Sequence, residues 1–275
     1  VSIHQQVNDA IFLAEHNRHV GAFTLILLAI GASARKVFPE GTKKDHLAFK
    51  LFLGGRLRRI LLYDYQPPEY SLSTGFTCVV GGKETDITDI LYKYFRCSLA
   101  HEGKLATEVK FNSSQGNPNG YPQRPRGMAQ LASWSEGEDG GKLTLDHIWI
   151  DILLEVIFHA PCNASEFGLS YFTLVPMQCI DESDFQQSFM INYEISPRMY
   201  YLLKEIVCEL SPNFVLGNSE SIWRSELERL SESRRISDAL AELSRNKLLT
   251  SHGEFLPNTI NALQEIAHSF ERVPI

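Results

Sequence analysis

The run Tyr92-Lys93-Tyr94-Phe95-Arg96-Cys97-Ser98-Leu99-Ala100-His101-Glu102-Gly103 sets an arginine and a histidine four residues apart in count, R-x4-H, in the last turns of a helix. A guanidinium is a permanent planar cation that suits phosphate or carboxylate oxygens. An imidazole takes and gives protons near neutral pH. Five steps of about 100° put the two side chains about 140° apart on an ideal α-helix, so one chain does not aim both at one point. A plainer use exists for each. Arg96 reads equally as a surface ion pair with Glu102 or Asp89, and His101 as a residue favoured by the negative end of the helix.

Weaker clusters lie elsewhere. Arg56, Arg58 and Arg59 form a basic group that reads as a solvated face or as phosphate contacts. Arg124 and Arg126 flank Pro125 near Tyr121 on a long loop, either a flexible insertion or a clamp on a nucleic acid. His16 and His19 lack a third ligand at suitable spacing, and no metal site is expected. Asp146 reads as a helix cap and His159 as a helix-end residue. The glycines match neither a phosphate-binding loop nor a dinucleotide fingerprint, and no nucleophile elbow is present. No cofactor is expected.

The elements that must carry these residues are mostly helical. Residues 3–36 read as one or two helices, the second being apolar almost all round from Ala22 to Ala34. The uncharged run Val20 to Ala34 is 15 residues long, short of the roughly 20 needed to span a bilayer. It ends in Ala32-Ser33-Ala34, which faintly mimics a signal cleavage site, but Asp9 and Glu15 precede it. A core helix of a cytoplasmic protein, without a membrane role, is the expectation. A second helix starts at Asp45, and a third runs from Thr85 or Asp86 to Gly103, where a C′ glycine belongs. Residues 105–111 read as a strand, and Met128–Trp134 with Lys142–Leu145 as the arms of a hairpin. Asp146 then caps an apolar helix through His159. Helices 196–210, 219–231 and 235–246, two short extended runs at 248–256, and helix 259–270 complete the chain. Helix, helix and hairpin in that order outline a winged helix-turn-helix.

The stretch from Phe95-Arg96 to His101-Glu102-Gly103, with the long apolar helix at 20–36, resembles the HEPN superfamily, whose signature is R-x4-6-H at a helix end. The likeness covers roughly residues 3–160. It implies a helical bundle for domain 1–168, into which the pattern above inserts a small antiparallel sheet; residues 169–275 lie outside the likeness and read, from their element order, as a winged-helix-like domain. It also implies metal-independent RNA cleavage to a 2′,3′-cyclic phosphate and a 5′-hydroxyl. Under the resemblance His101 transfers protons and Arg96 holds the scissile phosphate. A homodimer brings two such helices into one cleft. Toxin and antiviral defence systems are the usual setting of such domains. One residue departs from the pattern: Cys97 follows the arginine where active members often carry Asn, Asp or His. Ser98 and Glu102 are the polar neighbours that remain.

Charge limits the alternatives. The chain of 275 residues carries 26 basic and 33 acidic side chains, a net −7. Residues 1–103 hold 12 basic and 10 acidic groups, net +2, and 104–275 hold 14 and 23, net −9. Bulk coating of nucleic acid is excluded, whereas a small N-terminal phosphate site is compatible. From 219 onward seven basic groups face nine acidic ones. Arg234, Arg235 and Arg245 would supply a small basic face there, but a contact with a partner protein or antitoxin is favoured over DNA. Five cysteines with no C-x-x-C argue against a disulfide scaffold or a zinc ribbon. Three functions therefore stand: a dimeric endoribonuclease, an inactive HEPN-like scaffold that binds RNA or protein, and a winged-helix transcription regulator.

Overall fold

The computed structural model describes residues 1–62, 69–112, 132–135, 142–232 and 239–275. The protein is mainly helical with small sheets, and it divides into two compact units, Val1–Leu169 and Ser170–Ile275.

In the first unit α1 (Ile3–Glu15) is capped by Ser2, whose hydroxyl accepts from the Gln5 amide at 3.1 Å. After a turn with Asn17 at φ 58°, α2 (His19–Val37) runs through the core. It packs against α1, against α3 (Asp45–Leu62) and against α5 (Trp149–Phe158). Phe23, Ile26, Leu27 and Ile30 are fully buried, each worth about 1.5–3 kcal/mol relative to exposure. Among the described residues α2 is the one helix long and apolar enough to cross a membrane, and half of its most apolar stretch is buried inside the protein.

Gly54 on α3 lets the chain after the helix cross closely, since a Cβ there would lie 1.9 Å from the Ser71 carbonyl oxygen. Next, β1 (Thr77–Val80) and β2 (Lys83–Asp86) form a hairpin whose Gly81-Gly82 turn has both φ angles positive. Asp86 then caps α4 (Ile87–Ile90), which continues directly into a π-helix over Leu91–Glu102 and stops at Gly103 with φ 67°. The helix expected from 85 to 103 is thus present, but most of it is wound with i→i+5 rather than i→i+4 bonds.

The inserted sheet has three strands in the order β3 (Val109–Asn112), β5 (Lys142–Asp146), β4 (Ala132–Ser135). The expected hairpin is there as the antiparallel β4–β5 pair. The sheet as a whole is mixed, because β3 lies parallel to β5, Val109 opposite Leu143. The long connection between β3 and β4 is what permits a strand to be reached across the central one. Asp146 ends β5 and accepts from the Ile148 amide at 3.2 Å, and the apolar helix starts at Trp149, two residues later than a cap at Asp146 would place it. A 3-10 turn (Pro161–Asn163) and α6 (Ala164–Phe167) close the unit, with buried Asn163 donating to Ser33 Oγ and to the Ile157 carbonyl.

The second unit holds β6 (Phe172–Pro176), α7 (Glu182–Tyr193), α8 (Pro197–Leu210), α9 (Pro212–Gly217), α10 (Glu220–Glu232), α11 (Ala239–Arg245), α12 (Pro257–Ser269) and β7 (Phe270–Pro274). The chain does not end in a helix. Its last strand pairs antiparallel with β6, and Phe270 is buried against Phe185. The two extended runs near 250 make one bridge, Leu249 to Phe255, tightened by Thr250 N–H to the Glu254 carbonyl at 2.8 Å.

Asp86 is the capping residue with the widest reach. One oxygen accepts from the Thr88 amide at 2.9 Å and hydroxyl at 2.6 Å. The other accepts from Ser73 Oγ, the Thr74 amide and Thr74 Oγ1 at 2.9, 2.8 and 3.0 Å. Burial alone would raise this carboxyl, but the hydrogen bonds outweigh burial and hold it below its usual range. Its stabilisation is therefore complete above the unfolded value near 4 and is lost as pH falls through the lower folded value. Asp86→Ala is expected to lower unfolding free energy at pH 7 by about 2–3 kcal/mol in urea titrations and to flatten the acid limb. A loss within about 0.5 kcal/mol of zero would show that the cap is dispensable.

Candidate functional site

The π-helix positions both residues of the R-x4-H pair, and it changes their relation. In an i→i+5 helix, residues five apart lie one turn above each other, as residues four apart do in an α-helix. Arg96 and His101 therefore share a strip of the helix instead of diverging by the angle an α-helix imposes. What separates them is the direction of their side chains.

Arg96 turns inward. Its Nη1 donates to Asp45 Oδ2 at 2.8 Å, and its guanidinium lies 5.3 Å from the Tyr92 ring centre and 5.6 Å from that of Phe49. It rests on Gly31 of α2, and its Nε is buried with no acceptor. Asp45 also accepts from Tyr92 OH at 3.0 Å and from Arg35 Nη2 at 3.1 Å. Burial works to raise the Asp45 carboxyl, but Arg96, Tyr92 and Arg35 together hold it below its usual range. Burial and the Asp45 charge push the Tyr92 hydroxyl up to about 12. The partner of Arg96 is thus Asp45, from another helix, and neither Glu102 nor Asp89. Asp89 instead pairs with Lys50 at 2.7 Å.

His101 points the other way, onto a groove of about 410 Å³. From the π-helix the groove is walled by Lys93, Tyr94, Cys97, Ser98, His101 and Glu102, and from the other side by Lys104–Glu108. Within that second wall the chain is not yet a strand: the strand expected from 105 begins only at Val109. His101, Glu102, Lys93 and Lys104 are exposed. Cys97 is a half-buried free thiol, and Ser98 is buried and so contributes little polarity to the opening. The arrangement offers an exposed imidazole in a groove that also carries two lysines, balanced by Glu102 and Glu108.

The remaining candidates lie apart from this groove. Arg56 folds back on its own helix, donating to the Phe52 carbonyl at 2.8 Å with its guanidinium 4.2 Å from the Phe52 ring centre. Burial lowers its pKa, and the contacts with Phe52 occupy the guanidinium within its own helix. Arg58 and Arg59 are half-buried on the same helix, and both are engaged with neighbours. Arg245 ends α11, also with an engaged side chain. Arg124, Arg126, Arg234 and Arg235 lie outside the described residues. The His19 ring sits 5.5 Å from that of His147, and burial together with His147 lowers its pKa. Among the described residues no group of three or more His, Cys, Asp or Glu side chains is arranged to hold a metal ion.

Two participants carry no signal of a site in the sequence. Asp45 reads there as a helix start, which it also is. Gly31 is one small residue in an apolar run. Only the fold brings them to Arg96.

A family model, Rv1289, matches residues 2–178, which spans the first unit and runs through β6. No curated protein and no solved structure matches the chain.

The contact with Gly31 gives a sharp test of Arg96 placement. A Cβ at position 31 would lie 3.1 Å from both Nε and Nη2. Alanine normally stabilises a helix interior over glycine by about 0.5–1 kcal/mol. Here Gly31→Ala is expected to destabilise by about 1–2 kcal/mol, and to become stabilising once Arg96→Ala removes the obstruction. A urea double-mutant cycle in which the two changes simply add would place the guanidinium elsewhere.

Proposed function

The chain belongs to the Rv1289 family, whose function is unknown, and we propose that its first unit is an HEPN-like, metal-independent endoribonuclease acting at the His101 groove. The observation that carries this reading is the exposed His101 at the end of a twelve-residue π-helix, with Lys93 and Lys104 beside it. Long π-helices are rare, and wide turns of this kind recur at functional sites. In the proposed reaction a ribose 2′-oxygen attacks the adjacent phosphorus while His101 takes its proton. The bond from phosphorus to the 5′-oxygen breaks, leaving a 2′,3′-cyclic phosphate and a 5′-hydroxyl that gains a proton. Lys93 and Lys104 hold non-bridging oxygens, and Arg96 offsets charge that builds on the phosphate. A homodimer, as the resemblance implies, supplies a second imidazole as the acid for the leaving group.

One observation favours a second reading, an inactive HEPN-like scaffold that binds RNA or protein: Arg96 is already paired with Asp45. For the second unit, the order of α10, α11 and the turn around Leu249–Phe255 supports a winged-helix-like module. Its acidic balance favours a protein partner over DNA.

Incubating the full chain with mixed RNA and excess chelator is expected to yield cyclic-phosphate ends. His101→Ala should slow this by about 10²–10⁴-fold, the usual share of general acid–base catalysis. Cleavage that survives in His101→Ala would remove the groove as the site. Tight RNA binding with no cleavage by the wild-type chain would select the scaffold. Light scattering should give twice the chain mass if the dimer forms.

A further inference from the structure

We propose that Asp45 is the gate of this site: its carboxylate holds Arg96 in a resting position, and an incoming phosphate takes Arg96 over by displacing it. The inference rests on the groove being a phosphodiester site and concerns how that site is regulated.

The geometry separates the two arginines that Asp45 grips. Arg35 keeps two other acceptors, the carbonyls of Lys43 at 2.9 Å and Phe38 at 3.3 Å, so it stays in place when Asp45 lets go. Arg96 has no such second anchor. Among the described residues its hydrogen-bond acceptor is Asp45 Oδ2, and its Nε–H is shielded and unanswered. Arg96 is therefore the cation whose donors are short of acceptors, and a phosphate offers several at once.

Exposure sets the order in which a ligand meets them. The Asp45 side chain is 41% exposed and that of Arg96 only 18%. An approaching phosphate encounters the carboxylate first and is repelled until Arg96 swings out. The closed pair thus keeps a cation of the site out of reach of chance anions. Tyr92 assists, because its hydroxyl donates to the same Oδ2 and keeps that oxygen aimed at the guanidinium. Tyr92 and Arg96 are four apart on the π-helix, so both reach one oxygen from neighbouring turns. Acid is a poor opener, since the partners of Asp45 already hold its carboxyl below the usual range. A competing anion is the natural one.

The test separates gate from nuclease by measuring binding without cleavage. The probe is a fluorescent RNA oligonucleotide with 2′-O-methyl riboses, which cannot cyclise, titrated against the full chain at fixed salt. Asp45→Asn keeps an acceptor for Arg35 and Tyr92 but loses the charge, and it should tighten binding roughly tenfold. The gain should vanish in Asp45→Asn/Arg96→Ala. Asp45→Ser, which also suits the first turn of a helix, must behave in the same way if the asparagine variant folds poorly. A gain that survives removal of Arg96 is a mere change in net charge and overturns the gate, as does no gain in either variant. If the Arg96-dependent gain appears but natural RNA is never cut, the gate stands and the nuclease reading falls. If wild type cleaves RNA and neither Asp45 variant binds more tightly, the reverse holds.

Discussion

The Asp45 carboxylate joins three helices at one point. It opens α3, accepts from Arg35 on α2, and accepts from both Tyr92 and Arg96 on the π-helix. The energy of that junction is modest. Partly exposed ion pairs contribute about 0–1 kcal/mol each, whereas each buried aromatic or aliphatic side chain of α2 contributes about 1.5–3. The hydrophobic core therefore holds the first unit together. What Asp45 supplies is direction: it fixes where the one cation of the R-x4-H pair points.

On the π-helix, Tyr92 and Arg96 reach the same carboxylate while the following turn presents His101 to the groove. Phe95, between them in sequence, is driven into the core, where it meets Phe23 edge-on with ring centres 5.4 Å apart. Phe23 in turn stacks on Phe111 of β3, so one aromatic column ties the helix to the strand that starts at the groove's far wall. The packing of α2 and the shape of the groove are thus one problem.

Much of this organisation is written in local sequence. The apolar run of α2, the Asp86 start, the Gly103 stop and the β4–β5 arms are signals confined to a few residues, and they appear where those signals place them. The features that escape local reading depend on distant partners. The winding of residues 91–102 as a π-helix is invisible because the same apolar residues suit an α-helix. The parallel β3–β5 pair is invisible because the chain returns to it only after a long connection. In the second unit α7 presents a polar sequence with Phe189 its one fully buried side chain, so periodicity hardly marks it. Its capping signal is present all the same, in Asp181 accepting from the Ser183 and Asp184 amides. For the site, R-x4-H locates the two residues, but the partner of Arg96 lies fifty-one positions away and carries no motif.

The charge of the groove bears on what such a site is for. Lys93 and Lys104 are balanced by Glu102 and Glu108, and Arg96 is neutralised while Asp45 holds it. A surface that neutralises only two or three phosphates gains little from counterion release, so it does not accumulate on nucleic acid through bulk attraction. Discrimination in a site of that kind has to come from where groups stand when the reacting bond is in place. Under the proposed gate, a cation that joins on displacement of a carboxylate would give that kind of selectivity, because a ligand that did not draw Arg96 out would meet a groove with no net charge. The acidity of the whole chain then has a local counterpart, a single aspartate whose carboxylate covers the arginine that matters.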